Sequence, residues 1–364
     1  MSSHPVRGLP ITNGTTKKKD WIRPDLDRAV LKELTQRSTP NGLLRTAIFL
    51  GFLGVIAVAT LDLAQFGLGW AVAGLYLYYF FYGFWVAGAH ELQHKTVFGK
   101  EADWFSAIFF FLAQVLMWNS PRYARVSHML HHRYTMIRGQ DPETDWPEVI
   151  TTTWLRGHFF SMISKILVFG ALYYLVLDVW KQIKRAAGTK DCLMSEHCTA
   201  QDLQVIRWES LGILAFHLAV VLTAIWTGWW ACLLFVTMAW QIGSGIEGLW
   251  HQTEHIGRPY DVKDHRLNTR SMKVSKFLNL IYWGLDDHVD HHLFPAVPSR
   301  NLPRLHQILK RDLAFPKNIL DCWAEMYAVS REKDVNPANE YIPEELKAHF
   351  TFPAKTKAEK PGPG

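Results

Sequence analysis

The chain has 364 residues, of which 49% are apolar and 13% aromatic, with 16 Trp and a formal net charge of +6. Mean hydropathy is nevertheless near zero, because polar ends dilute long uncharged blocks; this pattern excludes an ordinary soluble globule, and no basic patch points to nucleic acid. Cys192, Cys198, Cys232 and Cys322 form no C-x-x-C pair and Cys232 falls inside an apolar block, which excludes a disulfide framework or zinc ribbon.

The first 40 residues are polar and carry Lys17, Lys18, Lys19, Arg23, Arg28, Lys32 and Arg37, with Arg45 close behind; they hold no apolar core of the kind a cleavable signal peptide needs. Two uncharged runs follow, Thr46 to Leu61 and Phe66 to Ala89, each about long enough to cross a hydrocarbon core of roughly 30 Å. A second pair runs from Ser210 to Trp226 and from Trp229 to Leu249. The turns within the pairs, Asp62 to Gln65 and Thr227 with Gly228, contain no Lys or Arg. The expected fold is therefore an all-α integral membrane protein with four transmembrane helices as two hairpins. The positive-inside rule puts both termini in the cytoplasm.

Two further apolar runs, Trp104 to Trp118 and Phe159 to Val179, lie between the histidine motifs described next. A crossing by either would put those motifs on opposite faces of the membrane, so both are expected to lie at the interface. Ser161, Lys165 and Asp178 suit the second run to that position. The expected division is a polar cytoplasmic segment over 1–40, a catalytic membrane domain over 41–321, and a polar tail over 322–364 whose Lys-, Pro- and Gly-rich end is disordered.

The chemistry is carried by three motifs: His90-x3-His94, His128-x2-His131-His132 and His288-x2-His291-His292. Imidazole is the commonest neutral ligand for iron, copper, zinc and nickel, and eight exceed what one ion can use, so two ions share the set. On a helix His-x3-His puts both rings on one face a turn apart. In His-x2-His-His the outer pair is one turn apart, while the third ring points elsewhere, toward a second ion. A fourth element, WHQTEHIG with His251 and His255, emerges from the end of the last apolar block. Ligating imidazoles donate their second N–H to a carboxylate or carbonyl. Among Glu91, Asp141, Glu143, Asp145, Glu247, Glu254, Asp286, Asp287 and Asp290, the carboxylates singled out for that role are Glu247, which ends an apolar block, and Asp145. His217, in the middle of the third block, reads as a helix-contact residue. His158, His197, His265, His306 and His349 lack partners at ligand spacing.

The three motifs, their order behind paired apolar blocks, and the segment DHHLFPAVPSRNLP resemble the membrane fatty acid desaturase superfamily, which includes acyl-lipid and sphingolipid desaturases and alkane hydroxylases. The resemblance runs from His90 to about Lys317. It implies a cytoplasmic helical cap holding two irons that activate O2 against an unactivated C–H bond, with His90, His94, His128, His131, His132, His288, His291 and His292 as ligands and His255 as a ninth. His251 stands where many relatives have Asn, which leaves open whether it binds iron, holds a water or acts through a neighbour. The fragment TEHIG resembles the alkane hydroxylases, whereas DHHLFPAVP is more like the desaturases. The resemblance further implies a lipid or acyl-chain substrate and a separate electron donor, a b-type cytochrome or a ferredoxin with its reductase, since the first 40 residues hold no haem motif. In a eukaryote the membrane implied is the endoplasmic reticulum.

Overall fold

The computed structural model describes residues 21–189 and 197–347. Lys17, Lys18, Lys19, Cys192, His349 and the end of the tail lie outside them. Among the described residues the protein is helical, with only two isolated bridges, Ile22 with Asp264 and Met272 with Lys317.

Helix α1 (Arg28–Leu34) is capped by Asp27, whose side chain accepts from the Ala29 and Val30 amides. Helix α2 (Thr39–Leu63) starts at Ser38 with Pro40 in its first turn, where a missing N–H costs nothing. Helix α3 (Leu68–Gly83) runs almost without a break into α4 (Trp85–Gln93). Among the described residues three stretches are long and apolar enough to cross a membrane: Thr39–Phe66, Leu68–Gln93 and, in the second half, helix α9 (Ala200–Thr227). Their outward faces carry large exposed apolar side chains, among them Val55, Val58, Leu68, Leu218, Leu222 and Trp226. In water such a continuous surface is an aggregation liability; in hydrocarbon it is the correct solvent face.

The fourth expected crossing, Trp229 to Leu249, is not one regular helix. A π-helical turn, Leu233–Thr237, precedes helix α10 (Ala239–His251). Of the two runs assigned to the interface, Trp104 to Trp118 is one helix, α5 (Asp103–Leu116), which meets α6 (Pro121–Tyr134) at 98°, whereas Phe159 to Val179 is divided between α7 (Thr152–Ile166) and α8 (Val168–Ala186), which meet at the same angle. The first corner is made by Trp118 in the left-handed region, φ 56°, followed by the Ser120 cap and Pro121. At the second corner Gly170 lies so close to the preceding turn that a Cβ there would meet the Ser164 carbonyl oxygen at 1.7 Å. No proline announces that corner. Counting each bent pair as a crossing would bring the number to five.

Helix α10 is the central strut, packed on both α3 and α7. Gly83 and Gly243 allow this: a Cβ on Gly83 would lie 2.5 Å from the Gly243 carbonyl oxygen. Small residues at such a crossing let two backbones touch where no hydrophobic drive between helices exists. His217 on α9 contacts the Val115 carbonyl oxygen through Nε2 (3.1 Å) and stacks on the Trp118 ring at 3.7 Å, which ties α9 to the α5–α6 corner.

Both flanks depart from the expected polar segments. Leu34 of α1 packs with Leu302, Leu305 and Leu309 in one cluster. The boundary placed at 321 falls inside a helix, Ile319–Val335, which buries Met326 against Met136 and Ile256. Its apolar face was masked in the sequence by the six charged residues from Asp321 to Asp334.

Candidate metal centre

Helix α4 carries His90 and is followed at its C-cap by His94; α6 carries the second motif and the short helix His288–Leu293 the third. These helices bring nine imidazoles together in two groups. His90, His94, His128, His132 and His291 form one, and His131, His255, His288 and His292 the other. In each His-x2-His-His motif the outer pair serves one group and the middle ring the other. Residues four apart on a helix share a face, and the residue three along from the first is rotated toward the neighbouring face.

Within the first group, Nε2 atoms approach at 2.7 Å (His90 to His291), 2.9 Å (His94 to His128), 3.1 Å (His128 to His132) and 3.2 Å (His132 to His291). In the second, His288 Nε2 lies 3.3 Å from His255 Nε2 and 3.1 Å from His292 Nε2. Nitrogens about 2.0–2.1 Å from one ion and at right angles stand about 2.9 Å apart, so these are the spacings of donors around a cation. Protonation gives the same answer. His255 Nδ1 lies 3.0 Å from the Asn268 carbonyl oxygen, which can only accept, so Nδ1 carries the hydrogen and Nε2 presents a bare lone pair to its neighbours. Converging lone pairs repel unless a cation sits among them. Burial first, and neighbouring imidazoles second, push His255, His288, His291 and His292 well below the usual histidine range and keep them neutral, which is the ligating form.

The outer partners fix the rings. His131 Nδ1 stands 3.0 and 3.1 Å from the two oxygens of Asp141. Asp141 is itself held by the Met136 and Glu143 amides and the Thr144 hydroxyl. Burial alone would raise its pKa, but His131 and these hydrogen bonds hold the carboxyl well below its ordinary range. His128 Nδ1 is 3.4 Å from Glu143 Oε2, and Thr135 Oγ1 is 3.3 Å from His292 Nδ1. Asp145, singled out in the sequence for this role, is exposed. The carboxylates beside the second motif are instead Asp141 and Glu143, because the turn after Gly139 folds that segment back under α6. Glu247 is buried and stands 3.8 Å from His251 Nδ1.

His251 belongs to neither group. Its Nδ1 lies 2.8 Å from Glu254 Oε2, and that oxygen is 3.0 Å from His288 Nε2. The other Glu254 oxygen accepts from the Tyr282 hydroxyl at 2.5 Å. Glu254 thus joins the fourth element to the second group, a role its position next to His255 in the sequence did not distinguish from eight other carboxylates. His265 was also passed over. It is buried, stacked on Trp21 at 4.2 Å, with its ring centre 5.0 Å from that of His292. The Asn268 carbonyl could not have been found, since a backbone acceptor has no residue signature.

Beside the first group lies a cavity of about 560 Å3 whose wall includes His90, His128, His251, Gln93, Gln114 and Lys181. A family model described as fatty acid desaturase matches residues 31–323, which include every histidine of both groups. No curated protein matches the chain.

Proposed function

The chain belongs to the fatty acid desaturase family, and from that premise we propose that this membrane oxidoreductase uses two irons and O2 to introduce a double bond into a fatty acyl or lipid-like chain. The observation that carries the proposal is the meeting of nine Nε2-presenting histidines in groups of five and four. His90, His94, His128, His132 and His291 would hold one iron, and His131, His255, His288 and His292 the other; His251 acts through Glu254. Bound there, the irons would supply O2 activation and hydrogen removal from an unactivated methylene. Two hydrogens leave neighbouring carbons, and with two electrons and two protons from a separate b-type cytochrome, or a ferredoxin with its reductase, O2 ends as two waters.

The protein's own part is placement. Asp141, Glu143 and the Asn268 carbonyl fix ring orientations, which matters because misplacing a reacting carbon by an ångström costs orders of magnitude in rate. The membrane arrangement that fits is four crossings in two hairpins, the fourth made by the π turn and α10. Both termini and the metal cluster then lie on the cytoplasmic side, and the catalytic unit runs from about 41 into the helix ending at Val335. In its support, the motifs begin where apolar helices end, and Trp229 and Trp230 are exposed at the far turn, a position suited to interfacial Trp.

Hydroxylation by the same site is the second reading, favoured by the fragment from Glu254 to Gly257, which resembles the alkane hydroxylases. Purified protein reconstituted with iron and supplied with reductase, donor and a membrane lipid extract separates them by mass: loss of two hydrogens against gain of one oxygen, each absent from His131→Ala. Protein that holds only zinc, and shows no O2-dependent turnover after iron loading, ends both readings.

A further inference from the structure

The short helix His265–Asn268 touches the second histidine group twice. The Asn268 carbonyl holds His255, and the His265 ring, buried at 1% exposure, has its centre 5.0 Å from that of His292. His265 is also stacked on Trp21, with ring centres 4.2 Å apart and planes within 5° of parallel. Trp21 is partly exposed, so two ring-to-ring steps join the protein surface to a histidine of the second group. Both rings are pinned. The Trp21 indole N–H donates to the Arg133 carbonyl oxygen at 3.0 Å, and the Ile22 amide donates to the Lys263 carbonyl oxygen at 2.9 Å. Asp264, fully buried, caps the short helix and pairs with Arg266. Electron transfer through protein weakens steeply with the gap to be crossed, and two aromatic rings in contact shorten it.

The surface around the outer ring is cationic. Arg23, two residues along, and Arg133 and Lys263, whose carbonyls hold Trp21 and Ile22, are all exposed. Against them stands the exposed Asp25, while Asp261 is already paired with Arg138 at 2.9 Å. A tryptophan rimmed by cations suits an acidic protein, because the ring supplies the anchoring contact and the rim steers the approach. We infer that Trp21 and His265 form the electron entry to the second histidine group, and that the face around Trp21 receives a small acidic electron-carrier protein. The inference rests on the oxidoreductase reading and adds to it a place and a route. One electron passes from the carrier's haem or iron–sulfur centre, oxidised by one unit, to iron held by the second group, reduced by one; no bond forms or breaks.

The test mixes oxidised, iron-loaded protein in nanodiscs, without O2, with the reduced haem domain of an acidic b-type cytochrome or with a reduced acidic ferredoxin, and follows the carrier's own absorption by stopped flow. Wild type oxidises at least one carrier. Trp21→Leu slows that reaction about tenfold, Trp21→Phe, which keeps a flat ring, recovers most of the rate, and dithionite reduces all three proteins alike. Lys263→Glu slows association about tenfold at low salt, flattens its salt dependence, and weakens binding of the oxidised carrier, where no electron moves. The inference is overturned if neither carrier is oxidised by wild type, if Trp21→Leu keeps the wild-type rate, if its loss is shared by dithionite, or if Lys263→Glu changes neither association nor binding. A wild type that dithionite itself cannot reduce gives a separate result: it sinks the oxidoreductase reading, and this inference with it.

Discussion

The carboxylate under His131 is the residue on which the second histidine group turns. Asp141→Asn removes the charged acceptor of Nδ1, and we expect metal affinity to fall about 10- to 100-fold, read as iron retained per protein after dialysis against a chelator, while Asp145→Asn retains as much as the wild type. Equal loss in the two variants would refute the assignment. That contrast also marks what could be read beforehand. Which histidines gather was legible, because the 3.6-residue period converts spacing into direction. Which carboxylate serves them was not, because Asp141 reaches His131 through a turn whose course depends on the Met136 amide and Thr144. Glu325 is a second residue with a defined load: it is buried among Arg258, Arg270 and Lys317, at 3.2, 2.5 and 2.6 Å. Burial would raise its pKa, but the two guanidiniums outweigh that and hold it well below its ordinary 4.5. A carboxyl lowered in the folded state stabilises fully above its unfolded pKa and loses that contribution as pH falls through the folded one. Glu325→Gln should therefore cost about 3 kcal/mol at neutral pH, since it strands buried cations, and the gap to wild type should narrow progressively as pH falls below the ordinary 4.5. Thermal melts in detergent at pH 7 and pH 3 check both parts.

Among the elements, the crossing of α3 and α10 sets the position of two metal-binding segments at once, because α3 leads into His90 and α10 leads to His255. A Cβ on Gly243 already meets the Tyr79 carbonyl oxygen at 3.0 Å, so Gly243→Leu has no room without parting the helices. We expect a destabilisation of about 1–3 kcal/mol, seen as a lowered melting temperature, together with lost iron. Full iron content with an unchanged melt would show the crossing to be slack. Helix existence was visible in the uncharged runs, but helix shape was not. Phe159 to Val179 reads as one amphipathic rod, yet it turns through 98° where a single glycine lets two backbone turns touch. A residue chosen for lacking a side chain leaves only a faint trace in an apolar run. Trp229 to Leu249 likewise hides its π turn, since the extra residue in that turn changes no composition.

For the molecule as a whole, the four-crossing arrangement makes a direct prediction about sidedness. A cysteine introduced at Gln65, in the turn after α2, should react with a membrane-impermeant maleimide only from the non-cytoplasmic side, and one at Lys310 only from the cytoplasmic side, in a background without Cys192, Cys198, Cys232 and Cys322. Labelling of both from one side would remove the arrangement. The division of ligands between the groups has a further consequence for how the protein matures. Since α6 and the helix His288–Leu293 each supply both groups, an ion entering one group orients the helices that the other still needs. Filling should be cooperative: as iron is added to apoprotein, native mass spectra should pass from no metal to two with little singly loaded species between. A cell short of iron would then hold a mixture of complete and empty molecules, and its oxidising capacity would fall in number of working copies while each remaining copy kept its full rate.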